Sequence, residues 1–361
     1  MKSPRKILFL LGVLLLVTGS ARLRAQAPQQ GSAAAPQQKE PEAAQQQGGP
    51  ARIVIPVNQV IVPVIVKDAA GRLVPDLRKD DFRVFEDDIE QRIGYFSPEA
   101  FPLSVVVLID NDLKSKDAKQ VAGSLRAIVA GLSRNDEAFV CRFDQFFHPG
   151  NGFTRDQDKL LTELARTRID SQTSVAPPSP AINNGPTING HSSMGDAPNM
   201  AGATLNIKGQ PTKALDDAVY AAAQLLKERG RDRRKIIFLI SDGVNAPKFN
   251  TNNYDTTVKE LLRYGIAVYG LGVGSAFFDR RFERLSKYAH DTGGDVYYGS
   301  KSHAMEELYG RVTEEARNQY TLAYDPAGTN RSADYHSIEV RVKREGLTIL
   351  TREGYYTGGT P

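Results

Sequence analysis

The sequence is poor in the residues that most often carry chemistry. It has one cysteine, Cys141, so no intramolecular disulfide can form. Cys141 lies in a strand-like run, EAFVCRF, and reads as a core residue. The five histidines (148, 191, 290, 303, 336) are scattered, with no HExxH pair. No GxSxG elbow is present, which removes the usual hydrolase nucleophile. Gly270, Gly272 and Gly274 alternate as in a phosphate loop, but the helix-start spacing and a Walker lysine are missing. Basic charge is scarce as well, once it is located. The formal charge of +4 rests on Lys2, Arg5, Lys6, Arg22 and Arg24, with no acid among the first 25 residues. Without those five, 41 basic residues face 42 acidic ones, so the body of the chain gives no support to nucleic-acid binding.

The 361 residues are 40% hydrophobic, enough for a sizeable core. The start reads as a secretory signal over residues 1–25. A basic beginning precedes the apolar run Ile7–Val17, too short for a comfortable membrane span, and LRA ending at Ala25 supplies small residues for cleavage. No cysteine stands where a lipoprotein needs one. The expectation is export, to the periplasm, the cell envelope or the medium, with no membrane span after cleavage; the alternative is that the run stays uncleaved as an N-terminal anchor. Residues 26–50 are Gln, Ala, Pro and Gly with three charges and almost nothing to bury, which predicts a disordered linker.

Order begins near Arg52. The N-terminal segment, 51–101, is β: long β-branched runs interrupted by Pro56 and Pro63, which favour edge strands, then strands near 82–86 and 92–97. An acidic cluster follows the first runs, at Asp80, Asp81, Glu86, Asp87 and Asp88, and reads as solvated surface. From residue 102 to 318 strands alternate with helices. LSVVVLID (103–110) and KIIFLIS (235–241) are buried parallel strands by pattern. Between and after them come a helical stripe over 117–132, a strand at 137–143, and helices at 156–165 and 214–227. A helix at 255–264, a strand at 266–272, a helix at 279–290, a strand at 295–298 and a helix at 303–317 complete the series. This alternation predicts an α/β fold with a doubly wound, mostly parallel sheet. Residues 170–210, rich in Pro, Ser, Asn and Gly, are expected to be a disordered insertion. The C-terminal segment, 319–357, returns to β, with strands at 320–324, 337–342 and 347–355. Each flanking segment is too short to be stable alone, so the two are expected to pack as one small β-sandwich with the α/β domain inserted between them.

The two buried strands each deliver an aspartate to the carboxyl edge of the sheet, Asp110 and Asp242, with Asp112 close behind the first. Ligands bind at that edge in open α/β sheets. This strand–aspartate pair and the α/β alternation resemble a von Willebrand factor type A domain. The flanks VIVPVIVKDAAGRLVPDLRKDDFRVFEDD and SIEVRVKREGLTILTREGYY resemble those of the bacterial VWFA-related proteins abundant in Acidobacteria, over about residues 52–357.

The resemblance implies a metal-ion-dependent adhesion site, usually holding magnesium, whose first loop reads Asp-x-Ser-x-Ser. Here the matching positions are Asp110, Asp112 and Lys114. A carboxylate at Asp112 can replace a hydroxyl ligand. An ammonium about 5 Å from a divalent ion is repelled by roughly 7 kcal/mol at an effective dielectric of about 20, so Lys114 either swings away or takes the metal's place. The threonine loop is irregular, with Thr212 the nearest candidate and Thr204 the other, whereas Asp242 in SDG fits the last acidic position. Asn111, Lys114 and Gly243 would then face a binding partner.

The expectation is a non-catalytic protein-binding or adhesion module with a degenerate site. The residues fix no cofactor, and magnesium is the candidate ion. The alternatives are an intact magnesium-dependent adhesion or envelope-assembly protein, and a hydrolytic enzyme using Asp110, Asp112 and Asp242.

Overall fold

The computed structural model describes residues 59–166, 187–188, 191–192, 213–274, 283–299, 302–328 and 332–358. The chain divides into two units, Met1–Arg52 and Ile53–Pro361, and every described residue belongs to the second. The expected signal, the linker, most of the 170–210 insertion, Thr204 and Thr212 lie outside the described residues. Among the described residues no helix is long and apolar enough to cross a membrane.

The strands, in chain order, are β1 (Val60–Lys67), β2 (Phe82–Glu86), β3 (Ile89–Gln91), β4 (Ile93–Ser97), β5 (Leu103–Asp110), β6 (Glu137–Phe143), β7 (Phe147–Pro149), β8 (Thr187–Ile188) and β9 (His191–Ser192). They continue with β10 (Arg234–Ser241), β11 (Ile266–Gly272), β12 (Val296–Tyr298), β13 (Tyr320–Tyr324), β14 (Tyr335–Val342), β15 (Thr348–Leu350) and β16 (Gly354–Tyr356). The helices are α1 (Ser115–Ser124), α2 (Arg126–Gly131), α3 (Gln157–Arg166), α4 (Leu215–Lys227), α5 (Tyr254–Arg263), α6 (Glu283–Thr292) and α7 (Ser302–Arg317).

The central sheet runs β12-β11-β10-β5-β6-β7, parallel throughout except for β7, which returns antiparallel along β6. Every residue of β5 and β10 is buried, as their unbroken apolar runs require. Alternate residues feed two layers. Val105, Val107 and Ile109 pack with Val121, Ile128, Leu160 and Tyr309. Val106 and Leu108 pack with Ala218, Ala222, Leu261 and Tyr288 on the other face. Helices therefore cover both faces, and the sheet is doubly wound. The helical stripe expected over 117–132 is interrupted at Leu125. The Ser124 hydroxyl bonds back to Gln120 O and Val121 O, which bends a helix at such a point.

The flanking segments form two four-stranded antiparallel sheets, β15-β1-β13-β4 and β16-β14-β2-β3, each mixing strands from both ends of the described chain. Val62, Val64, Phe82, Val84, Leu322, Tyr324, Ile338 and Val340 share one apolar cluster. Two details differ from expectation. β1 is not an edge strand: it pairs with β13 over residues 60–64 and with β15 only over 65–67. Pro63 thus lies short of the β15 ladder, and its missing N–H costs no bond on that side. The expected strand 347–355 is two strands, β15 and β16, in different sheets. The β2–β3 turn uses Asp87 and Asp88 at φ of 49° and 65°, a two-residue turn in which Asp tolerates the left-handed region. Asp87 then holds His336 of β14 (Oδ2 to Nδ1, 2.7 Å), while the Tyr324 hydroxyl donates to buried Glu86 (2.5 Å).

Candidate functional site

The chain order of the central strands places the topological switch between β5 and β10, since β5 leads outward to β6 and the later strands add on the other side. A ligand crevice forms at the carboxyl ends of such neighbours. Asp110 closes β5, Ser241 closes β10, and Asp242 follows it. The two halves are joined directly: the Ser241 hydroxyl donates to Asp110 Oδ2 at 2.7 Å. The Asp112 backbone N–H donates to Asp110 Oδ1 (2.9 Å), and the Val244 N–H to Asp242 Oδ1 (3.0 Å). Gly243 supplies the left-handed backbone (φ 77°) that turns the chain after Asp242, and its N–H donates to Ser241 Oγ.

The cation between these carboxylates is Lys213. Its ammonium donates to Asp110 Oδ2 and to Asp242 Oδ1, both at 2.9 Å, and its side chain is 3% exposed. The backbone around it is pinned from two loops: the Ala246 N–H donates to Lys213 O, and the Ala214 N–H donates to Asp144 O at the end of β6. Leu215 N–H caps onto Asn245 Oδ1, and Asp216 is held by Asn245 (2.8 Å) and the Tyr288 hydroxyl (2.7 Å). Lys213 is therefore presented by a fixed turn at the head of α4.

The charges follow from this burial. Desolvation pushes Asp110 up to about 6, against the pull of Lys213 and the Ser241 hydrogen bond, and repulsion from Asp242 adds to the rise. Burial works against the Lys213 ammonium too, but Asp110 and Asp242 outweigh it and hold the lysine above its ordinary value. Asp112, half-buried, is raised by desolvation, and the repulsion of Asp242 and Asp144 adds to that against the attraction of Lys213.

Of the two alternatives for Lys114, the structure has the first, a side chain turned away from the carboxylates. It is the exposed residue just before α1 and makes no side-chain hydrogen bond or ion pair among the described residues. A lysine does sit between the carboxylates, but it comes from a different loop. A Lys114→Ser change would not clear the site. Asn111 ties β5 to β6, with its N–H on Phe143 O and its amide 3.5 Å from Asp144 Oδ2. Asp110 and Asp242 meet through Lys213, with Asp112 at the rim. Lys213, Ser241 and Asp144 were not singled out from sequence. Lys213 adjoins the candidate Thr212 and opens the α4 pattern, and Ser241 precedes Asp242 in SDG.

A divalent ion does not fit this arrangement. Its place between Asp110 and Asp242 holds the Lys213 ammonium. Among the described residues, the sets of three ligand atoms within 4.8 Å of one another are Glu86, Asp87 and His336, and His290, Asp291 and Glu353, not the three aspartates.

Residues 189–311 match the von Willebrand factor type A domain. The match includes Lys213 and Asp242 and begins after β5 and Asp110. Similar solved structures include BatB from Bacteroides thetaiotaomicron, at 14% identity over 59% of this chain and 98% of that one, with a TM-score of 0.41. A von Willebrand factor type A protein from Catenulispora acidiphila is 9% identical over 78% of this chain and 76% of that one, at 0.42. Proximal thread matrix protein 1 of the mussel byssus, with a zinc-occupied adhesion motif, is 12% identical over 60% and 48%, at 0.42. No curated protein matches the chain. At such identities the site's chemistry has to come from its own residues.

Cys141 belongs to the core beneath this edge. Burial pushes its thiol up to about 12, with a Gly150 N–H offsetting part of the rise. The native protein is expected to resist an aromatic disulfide reagent in mildly alkaline buffer and to react fully once unfolded in denaturant. Complete labelling of the native chain within minutes would contradict the packing described here.

Proposed function

We propose that the chain is an exported, non-catalytic protein-binding module of von Willebrand factor A type, whose adhesion edge is built around a lysine instead of a metal ion. The observation that carries this reading is Lys213 bridging Asp110 and Asp242. A buried cation fixed by the chain stabilises the carboxylates without an ion, so partner binding needs no divalent metal. The same ammonium disarms Asp110 and Asp242 as an acid/base pair, and the buried Cys141 offers no accessible nucleophile. The flanking sheets act in this reading as one β-sandwich that braces the domain. The leader takes the protein to the envelope or beyond.

Phe146 supplies the contact. It is 65% exposed at the β6–β7 turn, with its N–H on Asp144 Oδ1, and Asp144 is near enough to Asp112 to repel it, so an aromatic ring stands in water on the Asp144 side of this edge. Exposed aromatics of this kind anchor protein interfaces. The test is capture of envelope proteins by the mature chain, with and without EDTA. Capture should survive EDTA and fall by about tenfold in Phe146→Ser, roughly a 1.4 kcal/mol loss, with the melting temperature unchanged. Capture abolished by EDTA would overturn the lysine-based reading.

A further inference from the structure

At the opposite, amino edge of the central sheet lies a cavity of about 340 Å³. It is enclosed by the starts of β10 and β11, the end of α5, β1 and the C-terminal strand. That volume falls in the range of small-molecule sites. Its lining holds six basic side chains (Arg231, Arg233, Arg234, Lys235, Arg263 and Arg352) and no Asp or Glu among the described residues.

Several of these cations are already committed. Arg263 pairs with Glu260 at 2.9 Å, Arg233 lies 3.4 Å from Glu137, and Arg234 donates to Ala316 O and Thr321 Oγ1. Lys235 is different. It is the second residue of β10 and only 6% exposed, and its Nζ has no hydrogen-bond partner among the described residues. Arg352 donates to Ile61 O and Leu262 O, yet its Nε is buried without a partner among the described residues. Burial, with Arg231 and Arg352 close by, pulls the Lys235 ammonium down to about 8, and Glu228 offsets only part of this. A buried cation without a counter-charge is costly, and an apolar side chain in its place would be less so. The rest of the wall mixes apolar and aromatic groups, including Ile61, Leu262 and Tyr355, with the neutral polar side chains of Gln59, Thr292, Gln319, Thr321 and Thr357.

We propose that this cavity binds a small organic anion, a carboxylate or phosphate group on an apolar body, with Lys235 and Arg352 holding the charge. The apolar wall takes the body, and the anion supplies the missing counter-charge and hydrogen-bond acceptors. The site lies away from the Asp110–Lys213–Asp242 edge and stands whether or not that edge binds protein.

Calorimetric titration of the mature chain with octanoate, phenyl phosphate, inorganic phosphate and neutral 1-octanol tests it. One octanoate or phenyl phosphate per chain is expected to bind with a Kd of about 1 mM or tighter, at least about tenfold better than octanol. The tighter of the two names the head group. Inorganic phosphate alone should bind more weakly, since it leaves the apolar wall uncovered. Lys235→Met should keep or raise the melting temperature and weaken anion binding about tenfold or more, whereas Lys159→Ala on α3 should change nothing. Should Lys235→Met fail to fold, Arg352→Gln is read the same way. Equal binding of octanoate and octanol, no saturable binding by about 10 mM, or anion binding unchanged in these variants would overturn the proposal.

Discussion

Replacing Lys213 by alanine is expected to cost about 3–5 kcal/mol of stability in mildly alkaline buffer, because it leaves a fully buried carboxylate without a counter-charge. The pH dependence has a definite sign. Asp110 has its folded value raised to about 6 from an ordinary 3.8, so its contribution to stability is complete below 3.8 and is lost as the pH rises through about 6. Lys213, also raised, contributes fully below 10.5, and that contribution goes only in more alkaline solution. Between those limits the wild-type ion pair is intact. Without Lys213, burial and Asp242 both push Asp110 higher still. The loss in Lys213→Ala should therefore be largest above about pH 7 and shrink towards about pH 5, where Asp110 can take up a proton. Adding Asp110→Asn to the variant should recover part of the loss. Urea unfolding across this pH range measures it. A loss below about 1 kcal/mol, independent of pH, would mean that Lys213 does not neutralise the pair.

The second large effect is expected at Lys67. This residue ends β1, in a flanking sheet, yet its buried ammonium reaches Asp295 (2.6 Å), Glu315 (2.8 Å) and the Tyr297 hydroxyl (3.0 Å), all on the α/β core. The Tyr297 hydroxyl also donates to Glu315, and Arg311 holds the other Glu315 oxygen at 3.1 Å. Lys67→Met keeps the length of the side chain but takes the shared cation from Asp295 and from buried Glu315, leaving Glu315 only Arg311 and the Tyr297 hydroxyl. It should lower stability by about 3–5 kcal/mol. Because the lysine ties the flank to the core, the variant should also lose cooperativity, with two transitions or a reduced denaturant slope. A single transition shifted by less than about 1 kcal/mol would show that apolar packing alone joins the two.

The parts of the fold that could be read from sequence are those in which burial leaves a pattern. β5 and β10 are buried on both faces, so their apolar runs are continuous and end sharply at Asp110 and Asp242. The alternation of strands and helices gave the doubly wound sheet for the same reason. Short or irregular elements left no such trace. β3 and β7 have three residues each, and the break between β15 and β16 depends on which sheet each strand joins. Pro63 pointed to an edge because a proline's lost N–H is visible in sequence, while the partial overlap of β15 is not. At the site, the sequence indicated a cation among the carboxylates and named the one inside the matching loop. Lys114 is close in sequence to Asp110 but points to water. Lys213 is 103 residues away and arrives through the fold.

Manganese titration of the wild-type chain, followed by calorimetry and by the spin-resonance signal of free ion, tests the central claim most directly. With Lys213 seated between Asp110 and Asp242, the wild type should show no Asp110-dependent binding tighter than about 1 mM. Lys213→Ala should gain at least about tenfold in affinity, and Asp110→Asn should abolish the gain. Tight manganese binding by the wild type that disappears in Asp110→Asn would show that the lysine yields its place to a metal, and would contradict the account.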